Sequence, residues 1–220
     1  MRINKYIAAS TPLSRRAADI AISAGRVRIN GKPAEQGSDA TPTDVVTLDG
    51  QTVQTATAHT TIMLHKPVGV VVSRTGQGST TIYDILPPQY QHLNPIGRLD
   101  KYSSGLLLLT DDGDLAQELT HPSRQKVKVY EVKLNQPLQP LHQQIIADHG
   151  VMLEDGRSSF IITQLERGNA EYEVTMREGR NRQIRRTFDA LGYKVTGLHR
   201  TQFGPYQLHD LSRGATQPMH

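Results

Sequence analysis

The sequence predicts an α+β protein in two parts, and three observations predict it. Strand-like runs outnumber helix-like ones and do not alternate regularly with them, which disfavours a doubly wound sheet. An unbroken apolar run, Leu106-Leu107-Leu108-Leu109, is bounded by Gly105 and by Thr110-Asp111-Asp112-Gly113. It is too short for an isolated helix and fits a strand covered on both faces. Charge is also unevenly placed: the first 33 residues carry seven Lys or Arg against one acid, a balance of +6, and the other 187 residues balance at −2. A chain of 220 residues suits one large or two small domains and can bury roughly 70% of its unfolded surface. The divisions expected are a basic module at 1–50, a linker at 51–60 and a larger domain at 61–220.

In the basic module, Ile3, Tyr6 and Ile7 lie at helical spacing. Ser14 can cap a second helix that runs through Arg15-Arg16-Ala17-Ala18-Asp19-Ile20-Ala21-Ile22 and stops at Gly25. Val27-Arg28-Ile29 then alternates before Asn30-Gly31, a tight-turn signal, and Asp44-Val45-Val46-Thr47-Leu48 reads as a closing strand. Residues 50–59 are small and polar without apolar periodicity, hence the linker.

Beyond it, strands are expected at Ile62–His65, Val68–Val72, Leu106–Thr110, Val127–Leu134, Ser159–Leu165, Ala170–Met176 and Lys194–Leu198. Helices are expected at Asp114–Thr120, Pro140–His149 and Asn181–Leu191, with Asn181 as the cap of the last. The tail from Ser212 to His220 is expected to fray.

Three stretches carry candidate chemistry. In Gly97-Arg98-Leu99-Asp100, one carboxylate stands where the chain turns into the leucine run; it is either a turn former bonded to its own backbone or a functional group at the mouth of a buried strand. In Gln125-Lys126-Val127-Lys128-Val129-Tyr130, Lys126, Lys128 and Tyr130 share one strand face. From spacing alone Tyr130 reads as a half-buried sheet residue. Between 177 and 186 stand five Arg and one Glu. On the helix that follows, Ile184, Phe188 and Leu191 form an inward stripe, and Arg185 beside it can pair with Asp189 four residues on, worth about 0.3–0.5 kcal/mol.

The run from Gly97 to Ser123, including Gly97-Arg98-Leu99-Asp100, Ser104-Gly105-Leu106-Leu107-Leu108-Leu109-Thr110, Asp112-Gly113-Asp114-Leu115 and Leu119-Thr120-His121-Pro122-Ser123, closely resembles the signature of the RsuA-like family of pseudouridine synthases. Residues 1–50, with Ser14-Arg15-Arg16 and Gly25-Arg26-Val27-Arg28-Ile29-Asn30-Gly31, resemble an S4 RNA-binding domain. The resemblance implies a pseudouridine synthase fold with a mixed, mostly antiparallel sheet and flanking helices. It further implies isomerisation of a uridine in ribosomal RNA, with Asp100 as catalytic aspartate, Arg185 as its ion-pair partner, Tyr130 stacking on a flipped base, and Ile184 in the apolar floor.

An arginine beside Asp100 would orient a carboxylate that is already ionised at neutral pH. Arg98, Lys126, Lys128, Arg180 and Arg182 are expected to contact RNA. In the basic module Arg2, Lys5, Arg15, Arg16, Arg26, Arg28 and Lys32 are expected to neutralise phosphates, giving affinity and orientation rather than sequence choice. Tyr102 stands where the family would place a small polar residue, and Thr187-Phe188 replaces the commoner run toward Met. The rival class is a non-catalytic RNA-binding or ribosome-assembly factor that retains the synthase fold.

Cysteine is absent, so no disulfide and no Cys-based zinc site exists, and the nine histidines show no metal-like spacing. No cofactor, metal or nucleotide is expected, nor a membrane. The partner expected is ribosomal RNA or a precursor particle, met by a cytoplasmic monomer.

Overall fold

The computed structural model describes residues 1–41, 43–54, 59–166 and 169–219. It divides into two compact units, one of Met1–Thr60 with Asp111–Gly113, the other of Thr61–Thr110 and the chain from Asp114 onward.

The first unit contains helices α1 (Ile3–Ser10) and α2 (Arg15–Ser23) and a small antiparallel sheet of β1 (Val27–Ile29), β2 (Lys32–Pro33), β3 (Val46–Leu48) and β4 (Gln51–Val53), ordered β2-β1-β3-β4. Ser14 caps α2 by accepting the Ala17 amide, and Asn30-Gly31 turns β1 into β2 with φ of 51° and 80°. Ile3, Tyr6, Ile7, Ala18, Ala21, Ile22, Val27 and Val46 form its core, as the helical spacing predicts. The linker expectation needs correction. Gln51–Val53 pairs with Val46–Leu48 instead of leaving the unit, because Asp49-Gly50, both at positive φ, turn the chain back; residues 55–58 of that expected linker lie outside the described residues.

The second unit is built on a nine-stranded sheet of the described residues. Its strands are β5 (Thr61–Lys66), β6 (Asn94–Ile96), β7 (Ser104–Thr110), β8 (Lys128–Leu134), β11 (Ile161–Gln164), β12 (Glu171–Met176), β13 (Val195–Phe203), β14 (Tyr206–Gln207) and β15 (Thr216–Met219). Between β8 and β11 a separate hairpin joins β9 (Val151–Leu153) and β10 (Gly156–Ser158). The main path of the sheet runs β11-β12-β8-β13-β7-β5-β15, with β6 on β7 and β14 on β13; only β13 against β7 is parallel. Helices α3 (Ile82–Ile85), α4 (Gly113–Thr120), α5 (Pro140–Gln144) and α6 (Gln183–Ala190) complete the elements. The predicted α+β class and mixed, mostly antiparallel sheet are therefore present.

All seven residues of β7 are buried. Leu107 and Leu109 enter the core with Ile62, Leu64, Tyr130, Val132 and Phe188, whereas Leu106 and Leu108 pack with Met63, Ile96, Leu119 and Phe203. The leucine run is continuous because each sheet face carries its own apolar layer.

Four further expectations are corrected. Val68–Val72 is no strand: Pro67 lacks a ladder donor and Gly69 turns the chain at φ 90°, leaving one bridge, Val71 to Thr81. The segment after Pro140 is α-helical only to Gln144 and continues as a π turn over Ile145–His149. Asn181 is not the cap of α6. Arg182 takes that place in the left-handed region at φ 48°, and the Gln183 side chain instead receives the Arg180 amide at 3.1 Å. The tail does not fray over Thr216–Met219, which pairs antiparallel with β5 as an edge strand, a position that tolerates Pro218; His220 lies outside the described residues.

Candidate active site

The loop between β6 and β7 carries Asp100, and its backbone is held from three sides. Gly69 N donates to the Lys101 carbonyl at 2.7 Å, Arg185 Nη2 to the Tyr102 carbonyl at 2.8 Å, and Lys66 Nζ to the Ser103 carbonyl at 2.7 Å. Ser103 N closes a turn on the Asp100 carbonyl at 3.0 Å, and Lys101 Nζ reaches Ser79 Oγ at 3.0 Å. Asp100 is thus part of a turn, yet its carboxylate is left facing a cleft.

Lys66 is fully buried at 0% exposure, and its Nζ donates to the Pro67 and Ser103 carbonyls. Burial pushes its amine from 10.5 down to about 8, against the pull of Asp100, which raises it. Because the unfolded chain binds this proton more tightly than the folded one, stability should rise with pH between about 8 and 10.5. The expected result is that wild type gains stability across that window relative to Lys66→Met, read as urea midpoints against pH; a constant difference between the two rules the effect out.

The Asp100 carboxylate is about one-third exposed. Its Oδ2 lies 3.6 Å from Arg182 Nη1 and 4.0 Å from Arg185 Nε. Arg185 is occupied mainly with backbone: Nη1 donates to the Val195 carbonyl at 2.9 Å and Nη2 to that of Tyr102, while the buried Nε has no hydrogen-bond partner and lies toward Asp100. Burial, then Arg182, lower the Arg185 pKa, and Asp100 and Asp189 oppose them. The left-handed turn at Arg182 brings a second guanidinium to the carboxylate, so two arginines reach it from the start of α6 where the sequence suggested one.

Asp100 and Arg182 line a cleft of about 650 Å³ together with Arg98, Leu99, Ser103, Lys126, Lys128, Tyr130, Met176, Ile184, Leu198, Arg200 and Phe203, while Arg185 stands behind Asp100 and outside that lining. Tyr130 is 8% exposed on β8, and Lys128 stands two residues before it on the same face. Lys126 pairs with Glu118 at 2.9 Å. Arg180 also lines the cleft, half-buried: it pairs with Asp155 at 2.9 Å and donates to the carbonyls of Asp155, Gly156 and Arg157, pinning the β9–β10 hairpin.

In the first unit, Arg26 makes two bonds to Asp49 at 2.8 and 2.6 Å, Arg28 donates to the Gly31 carbonyl at 2.9 Å, and Arg2 holds the Gly37 carbonyl and Asp39. Arg15, Arg16 and Lys32 are exposed and Lys5 is half-buried. Sequence reasoning missed Lys66 and Arg200. Lys66 ends an apolar run that gives no hint of a buried ammonium, and Arg200 lies beyond Leu198, where the expected strand stopped too early.

The profile of the RNA pseudouridylate synthase family matches residues 60–190, across the Asp100 loop, β8 and α6. The chain belongs to that family. An S4 domain profile matches residues 1–46 of this RNA pseudouridylate synthase. It is 35% identical over 96% of its length to the ribosomal small subunit pseudouridine synthase A of Pasteurella multocida, covering 91% of that protein. Similarity to the ribosomal large subunit pseudouridine synthase B of Bacillus subtilis is 34% identity over 97% of the chain and 89% of the relative. A crystal structure of a pseudouridylate synthase superposes with a TM-score of 0.71 at 30% identity, covering 100% of this chain and 96% of that one. The enzyme is accordingly an isomerase that converts uridine to pseudouridine. No helix among the described residues is long and apolar enough to cross a membrane.

Proposed function

We propose that this synthase modifies a uridine of ribosomal RNA, with Asp100 acting at the sugar, Arg185 and Arg182 orienting it, and Tyr130 stacking on the flipped base. The observation that carries this reading is the Asp100 loop. Three donors fix its backbone carbonyls, while its carboxylate faces a cleft shared with Tyr130 and Ile184. A carboxylate positioned through the backbone keeps its oxygens available for chemistry, as a nucleophile or base requires.

In the reaction the N1–C1′ bond breaks, uracil rotates, a C5–C1′ bond forms, the C5 hydrogen leaves as a proton to solvent, and N1 takes up a proton from solvent, so the composition is unchanged. Flipping the uridine costs a few kcal/mol, which base stacking of about 1–3 kcal/mol offsets in part. Release of tritium from ribosomal RNA labelled at uracil C5 tests the proposal directly. Turnover on one subunit's RNA or its precursor particle is the expected result; no release from any of them overturns the substrate assignment.

The division near Thr60 assigns anchoring to the first unit and chemistry to the second. Arg15 and Arg16, exposed at the start of α2, are the phosphate-binding residues expected to matter most. Replacing both with Gln should lower the slope of log affinity against log salt by about 0.7–0.9 for each phosphate no longer neutralised. Filter binding at several salt concentrations reads this out, and an unchanged slope removes these arginines from the interface.

A further inference from the structure

Lys128 and Arg200 are two cations in the cleft wall to which the isomerisation chemistry gives no atom to bind. Arg200 is 3% exposed, yet no carboxylate pairs with it among the described residues. Its Nε donates to the Leu106 carbonyl at 2.9 Å, where β13 diverges from β7 after two parallel pairings, and its buried Nη2 has no partner. Lys128 is half-buried, and its Nζ is spread over the carbonyls of Lys126, Arg177 and Glu178 at 3.3, 3.5 and 3.3 Å. Those separations exceed the usual range of about 2.7–3.2 Å, so the ammonium is held weakly.

Both cations gather at one ring. Arg200 Cζ lies 4.9 Å and Lys128 Nζ 5.6 Å from the Phe203 centroid. Burial and the nearby Arg200 depress the Lys128 pKa, and only Glu178 opposes them; Glu178 itself lies 3.2 Å from Arg180 Nε. Two partly desolvated positive charges with no ion pair of their own among the described residues are costly to fold around, and the cost is relieved by a ligand that brings negative charge. A neutral uracil carbonyl brings none, whereas a phosphodiester brings a full charge and two oxygens, one for each donor.

We propose that Lys128 and Arg200 form a subsite beside Phe203 for one backbone phosphodiester flanking the target uridine. The placement follows from register: Arg200 is the cross-strand partner of Tyr130, and Lys128 precedes Tyr130 by two residues on the same strand face. A base stacked on Tyr130 therefore has its strand's backbone within reach of both cations. This subsite rests on the RNA reading and deepens it, assigning to the cleft a contact that anchors the reacting nucleotide itself.

The test uses an oligoribonucleotide that the wild-type enzyme modifies, with each phosphate flanking the target uridine replaced in turn by a neutral methylphosphonate. At one of the two positions wild type should lose about tenfold in kcat/KM, and Arg200→Gln should lose about as much on native RNA but less than about twofold more on the methylphosphonate. Lys128→Gln gives the same cycle should Arg200→Gln fold poorly by circular dichroism. Retention of the full methylphosphonate penalty in both variants overturns the subsite, as does a wild-type enzyme indifferent to both replacements. Failure of wild type to release tritium from native RNA overturns the RNA reading instead, so the two failures are distinguishable.

Discussion

Asp100→Asn is expected to lower pseudouridine formation by about a thousandfold or more while leaving RNA affinity within a few fold. Asparagine keeps the shape of the side chain and loses the negative charge. The loop should survive the change because its backbone is held by Gly69 N, Arg185 Nη2 and Lys66 Nζ on the carbonyls of Lys101, Tyr102 and Ser103, none of which involves the carboxylate. Removing the charge also leaves Arg182 Nη1 and Arg185 Nε without an anion at 3.6 and 4.0 Å, a modest loss for groups that remain partly solvated or bonded to backbone. Tritium release and filter binding on the same preparation separate the outcomes. If affinity collapses as far as turnover, Asp100 is a structural turn residue and its catalytic assignment is lost.

The second large effect lies at Gly105, where β7 begins. Its φ of 110° is a backbone region that side chains rarely adopt, and an added Cβ would meet the Arg200 carbonyl oxygen and lie 2.5 Å from the Arg200 amide nitrogen. Both obstacles are backbone of β13 at the single parallel junction of the sheet, so neither can rotate aside. Gly105→Ala should therefore destabilise the protein by about 4 kcal/mol or more, combining backbone strain with displacement of β13. Gly113→Ala is the control, since a Cβ there meets nothing within 4 Å. Urea denaturation of the two variants measures the difference; a Gly105→Ala midpoint equal to that of the control would sink the close-approach argument.

Local features of the fold were legible because local forces make them. The Ser14 cap, the Asn30-Gly31 turn and the Ile3, Tyr6, Ile7 stripe each depend on neighbours within a few residues, and each is present. The leucine run was legible for a different reason: unbroken hydrophobicity requires burial on both sides, and Leu106 to Leu109 alternate between two cores. Val68–Val72 misled because its β-branched residues suggest a strand, whereas Pro67 and the turn at Gly69 make it a loop that props the Asp100 backbone. Val68 is left 58% exposed.

For the candidate site, residue types were legible and partnerships were not. Gly97-Arg98-Leu99-Asp100, the face shared by Lys128 and Tyr130, and Arg177, Arg180 and Arg182 of the arginine cluster stand out in the sequence and line one cleft. That Arg180 is bonded to the β9–β10 hairpin depends on residues more than 20 positions away in the chain, and so does the placement of Arg182 nearer to Asp100 than Arg185. By itself the sequence determined the α+β class, the family and the chemistry-bearing residue types, since these follow from patterning and motif. Only the tertiary structure decided that Lys66 is a buried clamp and that Arg200, across from Tyr130, has no carboxylate partner among the described residues. Both facts arise from contacts between strands far apart in sequence, where desolvation, not local propensity, sets what each charge can do.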